Sequence, residues 1–123
     1  MILETERLRI REMTMADFAA ICRIMQDAET MYAYEGAFTD GEVSEWIQRQ
    51  ESRYRELGFG LWAVELKESG EVIGQCGLSM QPWKEEQVLE IGYLLRRDCW
   101  GHGYAAEAAR ACRRYAFEQL GAE

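Results

Sequence analysis

The segment most able to bind a ligand lies between an apolar run that ends at Leu95 and a stripe of small residues that begins at Ala105. The residues between them include Gly101 and Gly103. Glycine adopts backbone conformations closed to other residues and lets a ligand approach the main chain. The first amides of a helix lack intrahelical partners and lie at the positive end of its dipole. A strand, a glycine loop and a helix start therefore predict a site for an anion such as a pyrophosphate.

The spacing of these glycines leaves an alternative open, because such a pair also serves simply as a tight turn. Arg96, Arg97 and His102 add local positive charge, which favours the anion site. Two familiar phosphate loops are excluded. The P-loop requires G-x-x-x-x-G-K-[ST], which the sequence lacks. The dinucleotide fingerprint requires a third small residue, which Ala106 could supply, and a following strand, but the sequence ends before any following strand.

The overall charge has the opposite sign, since 14 Lys plus Arg against 22 Asp plus Glu gives −8. An acidic domain repels nucleic acid at long range, which argues against general DNA or RNA binding. The charge is explained either by solubility or by attraction of a cationic substrate, such as an amine or a basic peptide.

Four cysteines without C-x-x-C spacing and one histidine argue against a zinc site and for reduced thiols. Cys99, beside the glycine loop, is either a reactive thiol or a small filler. No apolar run approaches the roughly 18 residues that a membrane span needs, and the first residues do not resemble a signal peptide. We therefore expect a cytoplasmic protein without a membrane partner.

Hydrophobic periodicity predicts the elements that would position the loop. Leu8-Arg9-Ile10-Arg11 alternates with a period of two, as in a half-buried strand. Two capping boxes, Thr14 with Asp17 and Thr39 with Glu42, predict helix starts. The predicted order is strand, helix, helix, three strands and helix, at residues 3–11, a short helix from 18, 39–58, 59–66, 72–80, 88–95 and 103–120.

Three strands in succession are expected to be antiparallel neighbours, so the fold class is α+β or mixed α/β. The length of 123 residues predicts a single domain over 1–123, and 48% hydrophobic residues suit a globular protein. On the last helix, Glu107, Arg110, Arg114 and Glu118 recur every three or four residues and predict the side that faces solvent.

The sequence Trp100-Gly101-His102-Gly103-Tyr104-Ala105-Ala106-Glu107-Ala108 resembles the acetyl-CoA loop of the GNAT N-acetyltransferases. It is most similar to the branch that includes the ribosomal-protein N-terminal acetyltransferases. Residues 4–11, 72–78 and 90–95 resemble the first, third and fourth strands of that branch. The resemblance covers residues 3–120. It implies a GNAT-like acyl-CoA N-acyltransferase fold, a mixed and mostly antiparallel sheet flanked by helices in the order β-α-α-β-β-β-α.

The resemblance also implies an activity, the direct transfer of an acetyl group from acetyl-CoA to a primary amine. The acceptor would be a protein N-terminal α-amine or a small-molecule amine. In this family the exposed backbone of the fourth strand pairs with the pantetheine arm, and the loop amides hold the pyrophosphate. Carried over to this chain, the cofactor-binding positions are Tyr93, Leu94, Leu95, Trp100, Gly101, His102, Gly103, Tyr104 and Ala105.

A general base must take the proton of the amine, and backbone N–H groups would stabilise the oxyanion. Glu90 is the candidate base, because its strand carries the base in several GNAT enzymes; the alternative is a carboxylate that simply faces solvent. Tyr93 would either supply a hydroxyl or be a buried strand residue. Tyr32 and Tyr34 fall in the segment that lines the acceptor site of this family. No metal is implied.

Two positions depart from the family pattern. Asp98 lies where the wider superfamily often has Arg or Gln, and His102 replaces a usual lysine. GNAT domains also continue beyond this helix with further strands that complete the acceptor pocket. We therefore expect a truncated domain, without the C-terminal strands, whose exposed sheet edge pairs with a second copy. The rival to an enzyme is a non-catalytic CoA-binding or assembly remnant.

Overall fold

The computed structural model of this chain describes residues 2–31, 36–83 and 86–121. Its centre is a five-stranded antiparallel sheet in which the strands lie in sequence order. The strands are β1 (Leu3–Glu4), β2 (Leu8–Arg11), β3 (Leu61–Leu66), β4 (Val72–Trp83) and β5 (Glu86–Leu95), and the helices are α1 (Phe18–Met25), α2 (Asp40–Leu57) and α3 (Tyr104–Leu120). The predicted fold, an antiparallel sheet flanked by helices, is confirmed.

The predicted first strand is divided into two, because Leu3 lies opposite Ile10 and the chain reverses between them. The amide of Thr5 donates to the carbonyl of Leu8 at 2.9 Å, and the amide of Leu8 donates to the Thr5 hydroxyl at 3.1 Å. A short polar side chain thus closes the turn by taking over a backbone hydrogen bond. The alternation of apolar and charged residues does not encode such a turn.

The ladder between β4 and β5 runs from the pair Gly74 and Leu95 to the pair Trp83 and Glu86. Both strands therefore extend beyond their predicted bounds towards the turn that joins them. In a sheet with buried faces this register is fixed, since a slip by one residue would turn every side chain to the other face. The register accordingly determines which residues of β5 face each side of the sheet.

Helices cover both faces of the sheet. Gln75 and Cys76 are consecutive residues of β4, so their side chains point to opposite faces. Trp46 of α2 donates its Nε1 hydrogen to Gln75 Oε1 at 2.7 Å, whereas Cys76 Sγ lies 3.5 Å from Cys112 Sγ of α3. The helix α2 therefore lies on one face and α3 on the other. The small residues of α3 that are buried against the sheet are Ala108, Ala111, Cys112 and Ala116.

Local sequence signals set the helix boundaries. Thr39 and Glu42 form the predicted capping box, with hydrogen bonds of 3.2 Å to the Thr39 hydroxyl and 2.9 Å to the Glu42 carboxylate. Gly58 ends α2 with a φ of 81°, a conformation that other residues rarely adopt. Thr14 and Asp17 also form their capping box, but it begins a 3-10 turn that leads into α1.

An ion pair joins that turn to the sheet. The guanidinium of Arg11 on β2 donates to both carboxylate oxygens of Asp17, at 2.9 and 3.0 Å, and its Nε donates to Glu65 at 3.0 Å. The amide of Thr14 donates to Asp17 at 2.9 Å. Burial raises the pKa of Asp17, but the hydrogen bonds from Arg11 and Thr14 outweigh it, so that the pKa lies below its ordinary 3.8.

A lowered pKa contributes stability that is present above the unfolded pKa and is lost as the pH falls through the folded one. We expect Asp17→Asn to reduce the melting temperature at pH 7, and this deficit to shrink as the pH is lowered from 5 towards 3. Thermal unfolding followed by circular dichroism across this range measures the deficit. Glu68→Gln, at an exposed residue, is the control with no deficit at any pH. A deficit for Asp17→Asn that does not change with pH would contradict the assignment.

Close backbone packing requires glycine at position 77. A Cβ there would lie 2.1 Å from the carbonyl oxygen of Gly60 and 2.8 Å from Leu61 Cα. We expect Gly77→Ala to lower the free energy of unfolding by about 3 kcal/mol, because rigid backbone would have to move. Gly92, directly opposite on β5, is the matched control, since its Cβ would meet only a Leu61 methyl at 3.8 Å. Urea denaturation should show Gly92→Ala within about 1 kcal/mol of the parent; equal losses would refute the packing argument.

Candidate functional site

A cavity of about 540 Å³ lies between the C-terminal end of β5 and the first turn of α3. Its lining is mainly apolar, and it also includes Thr30 and Cys99. All the predicted cofactor positions except His102 line it, namely Tyr93, Leu94, Leu95, Trp100, Gly101, Gly103, Tyr104 and Ala105. The structure thus brings the strand end and the glycine loop to one cavity.

The loop before α3 presents a run of free amides. Gly101 and Gly103 adopt left-handed conformations with φ of 84° and 80°. The first helical hydrogen bond of α3 is that from the Glu107 amide to the Gly103 carbonyl, at 3.1 Å. In the described part of the chain, the amides of residues 101–106 have no hydrogen-bond partner. Successive N–H groups at glycines of this conformation and at a helix start form a concave binding site for anions.

Trp100 anchors this loop to the sheet, because its Nε1 hydrogen bonds to the carbonyl of Leu95 at 3.0 Å. His102 is exposed, and its ring stacks on Tyr104 with 5.5 Å between centroids. The side chain of His102 is therefore solvent-exposed and is not part of the cavity lining. Its carbonyl accepts a hydrogen bond from Arg7 at 2.9 Å.

The two arginines expected to add positive charge are engaged elsewhere. Arg96 pairs with Glu71 and Asp98, each at 2.6 Å. The hydrogen bonds to Glu71 and Asp98 raise the pKa of Arg96, and the hydrogen bond from Arg96 lowers the pKa of Asp98. Arg97 contacts Glu29 and, more distantly, Asp27. Backbone amides rather than these side chains therefore give the loop its positive potential.

Sequence reasoning missed a second set of contacts to the loop, made by residues from the start of the chain. Glu107, expected to face solvent, has a side chain only 12% exposed. Its carboxylate accepts hydrogen bonds from the Thr5 hydroxyl and from the amide and Nε of Arg7. The separation of about 100 residues leaves no local signal for this contact. A further missed residue, Thr30, lines the cavity from the loop after α1.

The strand β5 has no neighbour on its outer edge among the residues described. Tyr93 on this strand is 54% exposed, while Leu94 and Leu95 are buried. The hydroxyl-bearing side chain is thus open to the cavity instead of buried. An edge strand offers unpaired N–H and C=O groups to an extended ligand.

A second cavity, of about 240 Å³, shares Tyr93 and Leu94 with the first. Glu90 lines it and is exposed, and Ser79 lies directly across the ladder. On its α2 side, Gln75 accepts a hydrogen bond from Trp46. Gln75 is fully buried, and its Nε2 has no hydrogen-bond partner among the described residues. The second cavity accordingly combines a carboxylate with an unsatisfied amide donor.

Other expected features can be placed more briefly. Tyr32 and Tyr34 lie outside the described residues. Cys99 is buried, and burial raises its pKa, which favours a filler over a reactive thiol. Within residues 2–31, 36–83 and 86–121, no group of three or more His, Cys, Asp or Glu is arranged to hold a metal ion. The same part of the chain contains no helix with the length and apolarity needed to cross a membrane.

The family model for the acetyltransferase (GNAT) domain matches residues 7–123. Protein YkkB of Bacillus subtilis (strain 168) is 38% identical over 118 residues, which cover 95% of this chain and 69% of YkkB. The N-acetyltransferase p20 of Bacillus licheniformis is 37% identical over 120 residues, covering 96% of this chain and 67% of p20. An acetyltransferase structure from Agrobacterium tumefaciens str. C58 matches with a TM-score of 0.82 at 36% identity, over 97% of this chain and 68% of that one.

The free amides predict binding of inorganic pyrophosphate at the loop, with the largest NMR shifts at the amides of residues 101–106. We expect Gly101→Ala to weaken this binding roughly fivefold, because a side chain disfavours the left-handed conformation. Gly70→Ala is the matched control, since Gly70 has a φ of 74°, an equally open Cβ position and a place in a distant turn. Equal binding by the two variants, or shifts confined to other regions, would contradict the loop as an anion site.

Proposed function

This chain belongs to the GNAT acetyltransferase family, a family of acyl-CoA-dependent acetyltransferases, and we propose that it transfers the acetyl group of acetyl-CoA directly to a primary amine. One observation carries the proposal. The free amides of residues 101–106 adjoin a cavity of about 540 Å³ at a sheet edge. A pyrophosphate needs the amides, and a pantetheine arm needs the edge.

The donor would be bound mainly by backbone. Within the loop from Trp100 to Ala105, the N–H groups from Gly101 onwards would hold the pyrophosphate at the positive end of the α3 dipole. The Trp100 amide already donates to the Arg97 carbonyl at 3.2 Å, so Trp100 would contribute as the anchor of the loop. His102 would contribute its main chain, because its side chain does not line the cavity. The outer edge of β5 at Tyr93, Leu94 and Leu95 would pair with the amide groups of the pantetheine arm, which would place the thioester beside Tyr93 and Leu94.

The acceptor amine would enter from the second cavity. Tyr93 and Leu94 line both cavities, so a thioester on one side of β5 and an amine on the other meet there. Glu90 would take the proton of the amine as its nitrogen attacks the thioester carbon. The amine reacts in its neutral form, after losing one proton to solvent. The carbon–nitrogen bond forms, the carbon–sulfur bond breaks, and the proton taken by Glu90 is returned through solvent to the departing sulfur, so that CoA leaves as the thiol. The free Nε2 of Gln75 is a hydrogen-bond donor on the acceptor side.

The acceptor class follows from charge and from the resemblance to the ribosomal-protein N-terminal acetyltransferases. A net charge of −8 concentrates cationic molecules near the surface, and an amine is a cation at neutral pH. A protein N-terminal α-amine or a small primary amine therefore suits the site. The first cavity and the sheet share one core, so we propose residues 1–123 as one domain.

The outer edge of β5 would also be the place where a second copy pairs. The pantetheine arm and a second copy would then compete for the same backbone groups. Binding experiments should therefore be made at two protein concentrations, because self-association through this edge would weaken donor binding as the protein concentration rises.

Calorimetric titration with acetyl-CoA, with NAD as the control ligand, tests donor binding. Detection of CoA release by mass spectrometry, with amines and short peptides as acceptors, tests transfer. We expect acetyl-CoA to bind and NAD not to bind, and we expect turnover with at least one class of acceptor. Binding without turnover would support the non-catalytic alternative. Failure of a folded sample to bind acetyl-CoA would refute the proposal.

Glu90→Gln should lower kcat by roughly 10²- to 10⁴-fold, because the amide cannot accept the proton, while leaving acetyl-CoA affinity unchanged. Steady-state kinetics and calorimetry measure the two quantities separately. Glu68→Gln, in the turn between β3 and β4, is the control with parental kinetics. An unchanged kcat for Glu90→Gln would show that Glu90 is a carboxylate that simply faces solvent.

A further inference from the structure

We propose that Arg7 and Glu107 are positioning residues for the donor, which hold the glycine loop so that its amides converge on the pyrophosphate. This inference rests on the proposed function. It concerns two residues outside the cavity lining and about 100 positions apart. With Thr5 they form what we call the loop clasp, defined by the side chains of Thr5, Arg7 and Glu107.

One end of the loop clasp is a fully engaged carboxylate on the first turn of α3. Glu107 Oε2 accepts hydrogen bonds from the Thr5 hydroxyl at 2.5 Å and from the Arg7 amide at 3.0 Å. Glu107 Oε1 accepts one from Arg7 Nε at 2.6 Å. Burial raises the pKa of Glu107, but these hydrogen bonds lower it below the ordinary value, so the carboxylate stays charged at neutral pH. The helix start is therefore fixed to the turn between β1 and β2.

The other end of the loop clasp touches three consecutive loop residues. Arg7 Nη1 donates to the carbonyl of His102 at 2.9 Å. The guanidinium carbon lies 4.5 Å from the centre of the Tyr104 ring. A Cβ on Gly103 would lie 3.4 Å from Arg7 Nη2, so the guanidinium also packs against this left-handed glycine. A planar, multidentate group can fix such a short segment, whereas the point charge of a lysine cannot.

The loop clasp also has an electrostatic role. A carboxylate on the first turn of α3 lies close to the free amides and would repel an incoming anion. Arg7 cancels this charge while leaving the amides free, because its contacts in the loop are to a carbonyl and a ring. Removing Arg7 should consequently harm anion binding more than removing both Arg7 and Glu107. A contact that merely stapled the turn to the helix would not produce this order.

The experiment measures dissociation constants by NMR titration for acetyl-CoA, inorganic pyrophosphate and S-acetylpantetheine, which lacks the pyrophosphate and nucleotide. We expect Arg7→Ala to weaken acetyl-CoA and pyrophosphate roughly 10- to 100-fold and to leave S-acetylpantetheine within about twofold. Arg7→Lys should lie between Arg7→Ala and the parent. The double variant Arg7→Ala/Glu107→Ala should recover part of the affinity for pyrophosphate.

Arg9→Ala is the matched control. Arg9 and Arg7 have equal side-chain exposure, 43%, and each pairs with a glutamate, but Arg9 pairs with Glu65 away from the loop. The Arg9→Ala variant should bind acetyl-CoA, pyrophosphate and S-acetylpantetheine with the affinities of the parent protein. If Arg7→Ala does not fold, Arg7→Lys and Glu107→Gln are compared with the same control.

The outcomes separate this inference from the proposed function. If the parent binds acetyl-CoA and the Arg7 variants bind it equally well, the positioning role is wrong. Equal weakening of S-acetylpantetheine would also overturn it, because the effect would then be general disorder of the fold. If the parent binds pyrophosphate but not acetyl-CoA, the proposed function fails, and the pyrophosphate affinities of the variants still decide the role of the loop clasp.

Discussion

The amides of residues 101–106 lack hydrogen-bond partners within the described chain, and the surrounding structure keeps them so. Two left-handed glycines prevent the helix from extending backwards over them. Trp100 holds the near side of the loop to the end of β5, while Glu107 is bound to the turn after β1. Most of these residues are exposed, so solvent can occupy their amides until an anionic ligand at the neighbouring cavity replaces it.

The sheet places a cavity on each side of its last described strand, which the proposed transfer reaction requires. Its last described strand is flanked by two cavities that share Tyr93 and Leu94, and Glu90 lines the smaller one, which we propose as the acceptor side. The faces are fixed by register, because Gln75 and Cys76 contact helices on opposite sides of β4. The proposed donor and acceptor would therefore approach from different directions and meet at β5. The buried small residues of α3 let the helix lie close to the sheet, which keeps its first turn beside the strand end.

Periodicity, capping boxes and glycines predicted the elements well, because those signals act within a few residues. The prediction of one continuous strand over residues 3–11 is wrong, because the chain turns between β1 and β2. The Thr5 hydroxyl closes this turn, and hydrophobic alternation carries no signal for it. The sequence predicted that Arg96 and Arg97 add positive charge to the loop. The fold pairs these two arginines with glutamates from other parts of the chain, which the sequence pattern does not reveal. The contact between Arg7 and Glu107 was invisible for the same reason, and helical spacing alone had predicted a solvent-facing Glu107.

A crystal structure of the chain with acetyl-CoA tests the central claim most directly. We predict pyrophosphate oxygens within about 3.2 Å of amides in the segment 101–106, and a pantetheine arm paired with the outer edge of β5 at Tyr93 to Leu95. The thioester should then lie near Leu94, between the two cavities. A nucleotide bound away from this loop, with the amides of 101–106 left to water, would contradict the account.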